Sequence, residues 1–434
     1  MSGETWGGGK LAVRRSAAGR PAPEHADPYV VPILAPGKRQ IRHVRPPERN
    51  QQRDRSEHRF RRTRGHRHLP ALWGSDLSGV ERDETTNIDG FSMGDVRDEL
   101  LRAYTMGAVT TMSWHSANPI TFGGYGHNMA PGSVAAVLPG GARHGQFLEW
   151  LDRVASFLDS VVDGVSGESV PIVFRPFHEH TGDWFWWCTG SPAQPTDTTP
   201  EQFVALWRMT VDYLRDSCGL HNVLYAYSPD RSRIDMSSES TCEAGYLYAY
   251  PGDEYVDVLG FDDYWDIAPA DVEAERPRER HDDLITMLTV VGRLARERGK
   301  IAAATEVGSP GEFASRYVMS AEDEAALAGA GACASAADDG CAAHGESNAV
   351  GSGTAQTAAP SESDSPWTRY LLTAALANSD TRRVLWYMPW RNDPGAAGTG
   401  AYGTPVEGSR YAADFRRFTK HPFIRMANTL PPLY

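Results

Sequence analysis

Short apolar segments alternate with amphipathic helical segments along most of the chain. Seven segments have the apolar, β-branched or aromatic character of buried strands, and five carry apolar residues at helical spacing. Such alternation is typical of parallel α/β folds, in which a helix returns the chain to the start of the next strand. The predicted strands are residues 71–74, 108–114, 171–174, 222–227, 256–261, 301–305 and 384–387, and the predicted helices are residues 95–104, 146–162, 200–216, 284–298 and 367–377.

The third predicted strand leads into an unusual segment, residues 174–187, with the sequence FRPFHEHTGDWFWW. The strand delivers Arg175, His178 and Glu179 just past its C-terminal end, where barrel enzymes keep their catalytic residues. The aromatic residues at 184–187 follow directly. We expect them to form a sugar platform, because the apolar face of a pyranose ring can stack on an indole.

A second carboxylate lies in an equivalent place downstream. The sixth predicted strand leads directly into Glu306, and Gly308 follows to turn the backbone. Two glutamates at the ends of two parallel strands suit glycoside hydrolysis, in which one carboxyl group donates a proton and the other attacks the sugar or activates water.

Four motifs give the chain a family resemblance: RPFHEHTGDWFWW at 175–187, GFDDYW at 260–265, TEVG at 305–308 and WYMPWRN at 386–392. In order and spacing they resemble glycoside hydrolase family 26, from about residue 69 to the C-terminus. Most members of that family are endo-β-1,4-mannanases built on a (β/α)8 TIM barrel. The resemblance therefore implies this fold, and an enzyme that cleaves internal β-1,4 linkages of mannan, glucomannan or galactomannan.

The same resemblance implies roles for individual residues. Glu179 resembles the general acid/base and Glu306 the nucleophile, which implies a retaining mechanism. His178 is similar to the histidine that holds and tunes the acid/base, and Tyr264 to the tyrosine that hydrogen-bonds the nucleophile. The remaining matches to substrate-binding positions are His115, beside the sugar next to the scissile bond, Trp184, an aromatic platform near the cleavage point, Asp262, Trp390 and Arg391.

Some of these residues have simpler interpretations. Asp262 and Asp263 could equally serve as caps or rim hydrogen bonds, and Trp386 could be barrel core as readily as a subsite wall. The pair His178 and His180 lacks the His-Glu-x-x-His spacing of zinc sites. We therefore expect no catalytic metal and no cofactor.

The N-terminal 68 residues differ in charge from the rest. They contain 16 Lys and Arg against 6 Asp and Glu, a net charge of +10, whereas the remainder carries −23. They are expected to be a disordered basic arm that binds an acidic polymer or surface, or the product of a shifted reading frame. Codons compatible with residues 36–52, read one nucleotide forward, permit Phe-Gly-His-Gln, which resembles the first barrel strand of family 26. A closed barrel needs an eighth strand, and we expect it before Leu69.

Residues 320–364 are rich in Ala, Gly, Ser, Asp and Glu and have almost no large apolar side chain. This composition favours a disordered insertion in a barrel domain of residues 69–434, with a substrate lid as the alternative. Cys333 and Cys341 could pin a small loop inside it in an oxidising compartment. The five cysteines are too few and scattered for a disulfide framework.

The sequence also bears on partners and location. No run of eighteen apolar residues occurs, so we expect no membrane insertion, and we expect no nucleic-acid partner and a monomer. Residues 1–30 lack the pattern of a signal peptide, yet a polysaccharide substrate favours secretion, with the cytoplasm as the alternative. Competing functions are a β-1,3-1,4-glucanase, a β-1,3-xylanase and a catalytically inactive glycan-binding barrel.

Overall fold

The computed structural model describes residues 31–32, 70–266, 277–308, 366–390 and 412–427. Most of the N-terminal 68 residues, the insertion at 320–364 with its two cysteines, and Arg391 lie outside the described residues. Expectations about those parts therefore stay predictions.

Eight parallel strands form one sheet that curves into a nearly closed barrel. The sheet order is β1-β8-β7-β6-β5-β4-β3-β2, which is the circular order of a (β/α)8 barrel opened between its first two strands. The strands are β1 (Val31–Pro32), β2 (Leu72–Asp76), β3 (Val109–Trp114), β4 (Ile172–Pro176), β5 (Val223–Tyr227), β6 (Val258–Asp263), β7 (Ile301–Val307) and β8 (Val384–Pro389).

The eighth strand lies before Leu69, as the barrel requires, but it is only two residues long. Val31 and Pro32 pair with Trp386 and Tyr387 of β8. Across the opening, β2 and β8 approach closely, since a Cβ added at Gly74 would lie 2.9 Å from Met388 Sδ. The barrel is therefore nearly closed by a short strand from the chain as written, while the reading-frame hypothesis concerns residues outside the described part.

A helix follows each of β2 to β8, and one short helix is inserted after β3. Ser92 and Thr199 each begin a helix with a capping box, in which the cap and the third helical residue satisfy each other's backbone N–H groups. The helices are α1 (Met93–Thr105), α2 (Ser133–Val137), α3 (His144–Asp159), α4 (Pro200–Asp212), α5 (Glu239–Tyr246), α6 (Pro277–Arg298), α7 (Leu372–Leu376) and α8 (Ala412–Phe418).

All seven predicted strands are present, and each of the five predicted helices overlaps an observed one. Helix α4 continues as a π-helical turn at Tyr213–Ser217, and α7 is preceded by another at Pro366–Leu371. Helices α2, α5 and α8 were not predicted from the sequence. Within the described part of the chain, no helix is both long enough and apolar enough to cross a membrane.

Two hydrophobic clusters hold the barrel together. The larger packs the helices onto the outside of the sheet. The smaller draws on strands β2 and β4 to β8, as expected for side chains that fill a barrel interior, and its members are Ala71, Leu72, Val173, Ala226, Val258, Ala303, Trp386, Met388 and Ala427. Trp386 is therefore barrel core, which decides between the two interpretations of that residue.

Candidate active site

The loop after β4 holds Glu179 in an uncommon backbone conformation. Phe177 and Glu179 have positive φ angles of 50° and 54°, which cost energy in residues other than glycine. The surroundings fix this conformation: the Glu179 N–H donates to Ser228 O at 2.7 Å, and Trp187 Nε1 donates to His178 O at 2.7 Å. The carboxyl group is thus placed by a rigid main chain.

Trp184 is the direct partner of that carboxyl group. Its Nε1 donates to Glu179 Oε2 at 2.7 Å, and the ring is only partly buried. Gly182 lies beneath the ring, where a Cβ would come within 2.5 Å of the indole carbons. The Arg233 guanidinium lies 5.9 Å from the ring centroid. Trp184 can therefore both orient Glu179 and offer an aromatic surface beside it.

The other three aromatic residues of the predicted platform do not belong to it. Phe185, Trp186 and Trp187 are 6%, 1% and 0% exposed and pack in the main hydrophobic cluster. Phe185 stacks on Trp187 with ring centroids 4.6 Å apart, and Trp186 meets Phe177 edge to face. The prediction of a four-residue platform was wrong for these three rings, which brace the loop from inside.

Glu306 lies near the end of β7 and is 3% exposed. Tyr264 donates its hydroxyl to Glu306 Oε2 at 2.6 Å, and Arg175 donates from Nη2 to Glu306 Oε1. Both carboxylate oxygens therefore have a donor, which fixes the orientation of the group.

Arg175 is a buried cation shared by two carboxylates. Besides Glu306, it donates from Nη1 to Asp262 Oδ2 at 2.7 Å and to Ser228 Oγ at 3.1 Å. The other oxygen of Asp262 accepts from Thr305 Oγ1 at 2.7 Å. Asp262 is completely buried. These contacts favour the structural interpretation of Asp262 as the charge partner of Arg175.

The two glutamates are close together. One carboxylate oxygen from each of Glu179, Asp262 and Glu306 lies within 4.8 Å of the other two. Retaining glycosidases separate their carboxyl groups by about 5–5.5 Å, and inverting ones by about 6.5–9.5 Å. Three clustered carboxylates could also hold a cation, but Arg175 already supplies positive charge to two of them. The arrangement suits a retaining pair better than a metal site.

Burial raises the pKa of Glu179 well above its ordinary value, and the negative charges of Asp230, Asp262 and Glu306 raise it further. The hydrogen bond from Trp184 opposes this rise without cancelling it. A carboxyl group that stays protonated next to an ionised one is the condition for general-acid catalysis.

A chain of three side chains runs along the other side of the site. Asp76, at the end of β2, accepts from His115 Nδ1 at 2.7 Å, and His115 Nε2 lies 3.0 Å from His178 Nε2. Burial disfavours a charged His115, but the Asp76 carboxylate outweighs burial and raises its pKa. Burial, His115 and Arg175 lower the pKa of His178 well below its ordinary value. A charged His115 can therefore donate to a neutral His178.

Comparison with known proteins shows which family the chain belongs to. The model of glycosyl hydrolase family 26 matches residues 52–323, more than half of the chain. The chain belongs to family 26. The match begins before residue 69, where the motifs had suggested a start, and ends before the WYMPWRN motif. The matched residues include both Glu179 and Glu306.

Two curated proteins and one solved structure are similar to the chain. The chain is 35% identical over 242 residues to a mannan endo-1,4-beta-mannosidase of Bifidobacterium adolescentis, covering 56% of this chain and 22% of that protein. A Bacillus subtilis mannan endo-1,4-beta-mannosidase is 29% identical over 202 residues, 45% of this chain and 51% of its own length. The chain thus spans about half or less of these two relatives. A solved GH26 beta-mannanase of Bacteroides ovatus superposes with a TM-score of 0.61 at 30% identity, covering 85% and 84% of the two chains.

Trp390 lies beside Tyr264, the residue that hydrogen-bonds Glu306. The Trp390 ring meets the Tyr264 ring edge to face, with centroids 6.2 Å apart, and Trp390 N donates to Val307 O at 2.9 Å. Arg391 lies outside the described residues. The structure therefore brings together Glu179, Glu306, His115, His178, Trp184, Asp262, Tyr264 and Trp390, eight of the nine residues that the sequence analysis selected.

Two functional residues of this family 26 site were missed. Arg175 and Asp76 were given no role from the sequence. Both lie at the C-terminal end of a parallel strand, the position that had already singled out the glutamates. What could not be predicted is which strand-end side chains point into the site, because that depends on neighbouring strands.

Gly182→Ala is expected to lower the kcat/KM of this family 26 chain strongly. The new Cβ would clash with the Trp184 ring at 2.5 Å, and moving the ring breaks its hydrogen bond to Glu179. Because misplacing a catalytic group by about 1 Å can cost about 10²-fold, we expect kcat/KM to fall by about that factor. Gly164→Ala is the control, since a Cβ there meets nothing within 4 Å. Equal kcat/KM for the two variants would contradict the positioning role of Trp184.

Proposed function

We propose that this family 26 hydrolase is a retaining endo-β-1,4-mannanase acting on mannan, glucomannan or galactomannan. The observation that carries the mechanism is the pair of Glu179 and Glu306, with carboxylate oxygens within 4.8 Å and opposite electrostatic surroundings. The names of the Bifidobacterium, Bacillus and Bacteroides relatives support mannan as the substrate. A polymer of this kind also supports an enzyme that works outside the cell.

In the first step, a Glu306 carboxylate oxygen attacks the anomeric carbon as the bond to the leaving oxygen breaks. Glu179 donates its proton to that oxygen, so the leaving chain departs as an alcohol and a glycosyl ester forms on Glu306. Tyr264 and Arg175 hold the attacking carboxylate in place through hydrogen bonds. Trp184 orients the acid and lies where the leaving sugar can stack.

In the second step, Glu179 is ionised and accepts a proton from water. The water oxygen bonds to the anomeric carbon while the ester bond to Glu306 breaks, which restores both carboxyl groups and the original anomeric configuration. The change of role has a physical cause in this site. The charge of Glu306 is one reason that the pKa of Glu179 is high, and the ester removes that charge. The pKa of Glu179 therefore falls when a base is needed.

The other site residues receive supporting roles in this proposal. His115, held by Asp76, contacts the sugar bound next to the scissile bond, and His178 keeps Glu179 in place. Trp184 is the aromatic platform, and Asp262 holds Arg175. Trp390 and Arg391 are proposed to bind a further sugar unit.

The substrate is tested by comparing initial rates on mannan, galactomannan, lichenan and β-1,3-xylan, with the Glu306→Ala variant as the blank. The proposal expects the highest kcat/KM on mannan or galactomannan. Preference for lichenan would indicate a β-1,3-1,4-glucanase, and preference for β-1,3-xylan a xylanase. Binding of mannan without hydrolysis would indicate a glycan-binding barrel and contradict the proposal.

The alkaline side of the pH profile should report Glu179. As pH rises through its raised pKa, the acid loses its proton and kcat/KM falls. Burial raises the pKa of Asp230 to about 6, so above that pH its carboxylate is charged and helps to raise the pKa of Glu179. Asp230→Asn should therefore move the alkaline fall in kcat/KM to lower pH. With a dinitrophenyl glycoside, whose leaving group needs no proton, the unmodified enzyme should show little of this fall. A fall that stays at the same pH in Asp230→Asn would contradict this electrostatic account.

A further inference from the structure

Trp265 is the most exposed tryptophan of the described residues, with 50% of its surface accessible. It follows Tyr264, whose hydroxyl binds Glu306, and so lies at the catalytic end of the barrel beside β6. Trp265 takes no part in the two proposed catalytic steps. An indole left this exposed keeps apolar surface in contact with water, and tryptophan is enriched where an aromatic face meets a binding partner.

The backbone beneath the ring is rigid. Asp263 Oδ1 accepts the N–H groups of both Trp265 and Asp266, at 2.9 and 2.8 Å. Asp263 and Asp266 are completely buried, and the Asp266 carboxylate pairs with Arg231. The exposed ring therefore projects from a turn whose main chain is already ordered, so a ligand that binds it has little ordering entropy to overcome.

Arg280, in the first turns of α6, completes the arrangement. Its guanidinium lies 4.9 Å from the centroid of the Trp265 ring, and its Nη1 donates to Trp265 O at 2.7 Å. The arginine supports one part of the ring and leaves half of the residue exposed. A flat apolar surface next to N–H donors matches the two sides of a pyranose, whose ring carbons stack and whose hydroxyl groups accept hydrogen bonds.

We propose that Trp265 and Arg280 form an additional subsite that binds one neutral pyranose unit of the polysaccharide. Both residues differ from those that hydrogen-bond Glu179 and Glu306, and the subsite is proposed to take a sugar beyond those bound at the catalytic pair. This proposal rests on the proposed function, because it assumes that a polysaccharide lies in this cleft. It adds a contact that only a substrate long enough to reach Trp265 can make.

The test compares Trp265→Ala and Trp265→Tyr with the unmodified enzyme on two substrates. One is whichever of the four polysaccharides is hydrolysed fastest, and the other is a dinitrophenyl monoglycoside of the same sugar, too short to reach the subsite. Trp265→Ala should lower kcat/KM about tenfold on the polysaccharide and leave it within about twofold on the monoglycoside. Trp265→Tyr keeps an aromatic face and should retain most of the activity.

A matched control lies at the opposite end of the same strand. Tyr255 precedes β6, is partly buried, and has the guanidinium of Arg208 5.1 Å from its ring centroid. Tyr255→Ala should leave the ratio of polysaccharide to monoglycoside kcat/KM unchanged. An unchanged ratio in Trp265→Ala, or an equal change in both alanine variants, would overturn the proposed subsite.

A binding measurement separates this proposal from the proposed function. In the Glu306→Ala background, calorimetry with a hexasaccharide of the preferred polysaccharide should give a Kd about tenfold weaker when Trp265 is also replaced by alanine. Preference for lichenan or xylan would contradict the mannanase assignment yet leave this test intact. An equal Kd with and without Trp265 would contradict the subsite even in a proven mannanase.

Discussion

Glu306→Ala is expected to abolish turnover on every substrate, with kcat lowered by at least about 10⁴-fold. The reason is that the variant cannot form the glycosyl ester, and no other described side chain takes its place, since Asp262 is bound to Arg175 and Thr305. The loss should not depend on how good the leaving group is. Added azide should restore some activity by attacking the sugar in place of the missing carboxylate.

Glu179→Ala should behave differently, because it removes only the proton donor and later the base. On polysaccharide we expect a loss of about 10²–10⁴-fold, the usual contribution of general acid–base catalysis. On a dinitrophenyl glycoside the first step should survive. Equal losses for the two variants on that substrate, with no rescue of either by azide, would show that the roles are wrongly assigned.

Arg175→Met is expected to lower the free energy of unfolding by about 3–5 kcal/mol, the usual cost of breaking a buried ion pair from one side. The arginine is 1% exposed and holds two carboxylates that are almost as buried. Without it, Asp262 and Glu306 keep their burial and lose their counter-charge. Urea unfolding followed by tryptophan fluorescence measures the effect.

Two further variants sharpen that measurement. Arg215→Met removes a partly exposed arginine that pairs with Asp212 and Asp216, and should change the free energy of unfolding by no more than about 1 kcal/mol. Adding Asp262→Asn to Arg175→Met removes one of the two buried negative charges that have lost their counter-charge. The double variant should therefore recover part of the lost free energy of unfolding. A loss in Arg175→Met as small as that of the Arg215 control would contradict the account of the buried network.

The sequence predicted the strands well but ended five of them two residues early. Strands β2, β4, β6, β7 and β8 end at Asp76, Pro176, Asp263, Val307 and Pro389, each beyond the apolar run that revealed it. In β2, β4, β6 and β7 the apolar pattern stops at a polar or charged side chain, whereas backbone pairing continues. The prediction failed at these four ends because function places polar residues inside a sheet. Strand β8 continues through Met388 and Pro389, which are both apolar, so this reason does not apply to it.

The first strand shows a different limit. Val31–Pro32 is too short to display any hydrophobic period, and its place in the barrel is set by pairing with β8, far away in sequence.

The aromatic residues after Glu179 show a third limit. A dense aromatic segment is compatible with a sugar platform and with a packed loop, and only the surrounding rings, such as Phe177 and Phe147, decide. The placement of Glu179, Glu306 and Tyr264 close together was predictable because motif and strand position agreed.

The central claim is that Glu179 and Glu306 form a retaining pair, and product stereochemistry tests it most directly. Proton NMR recorded during the first minutes of hydrolysis, before the products mutarotate, shows which anomer is released. The close approach of the two carboxyl groups predicts the β-anomer as the first product. Release of the α-anomer first would contradict the account, because it would require a water molecule between carboxyl groups that the structure brings within 4.8 Å.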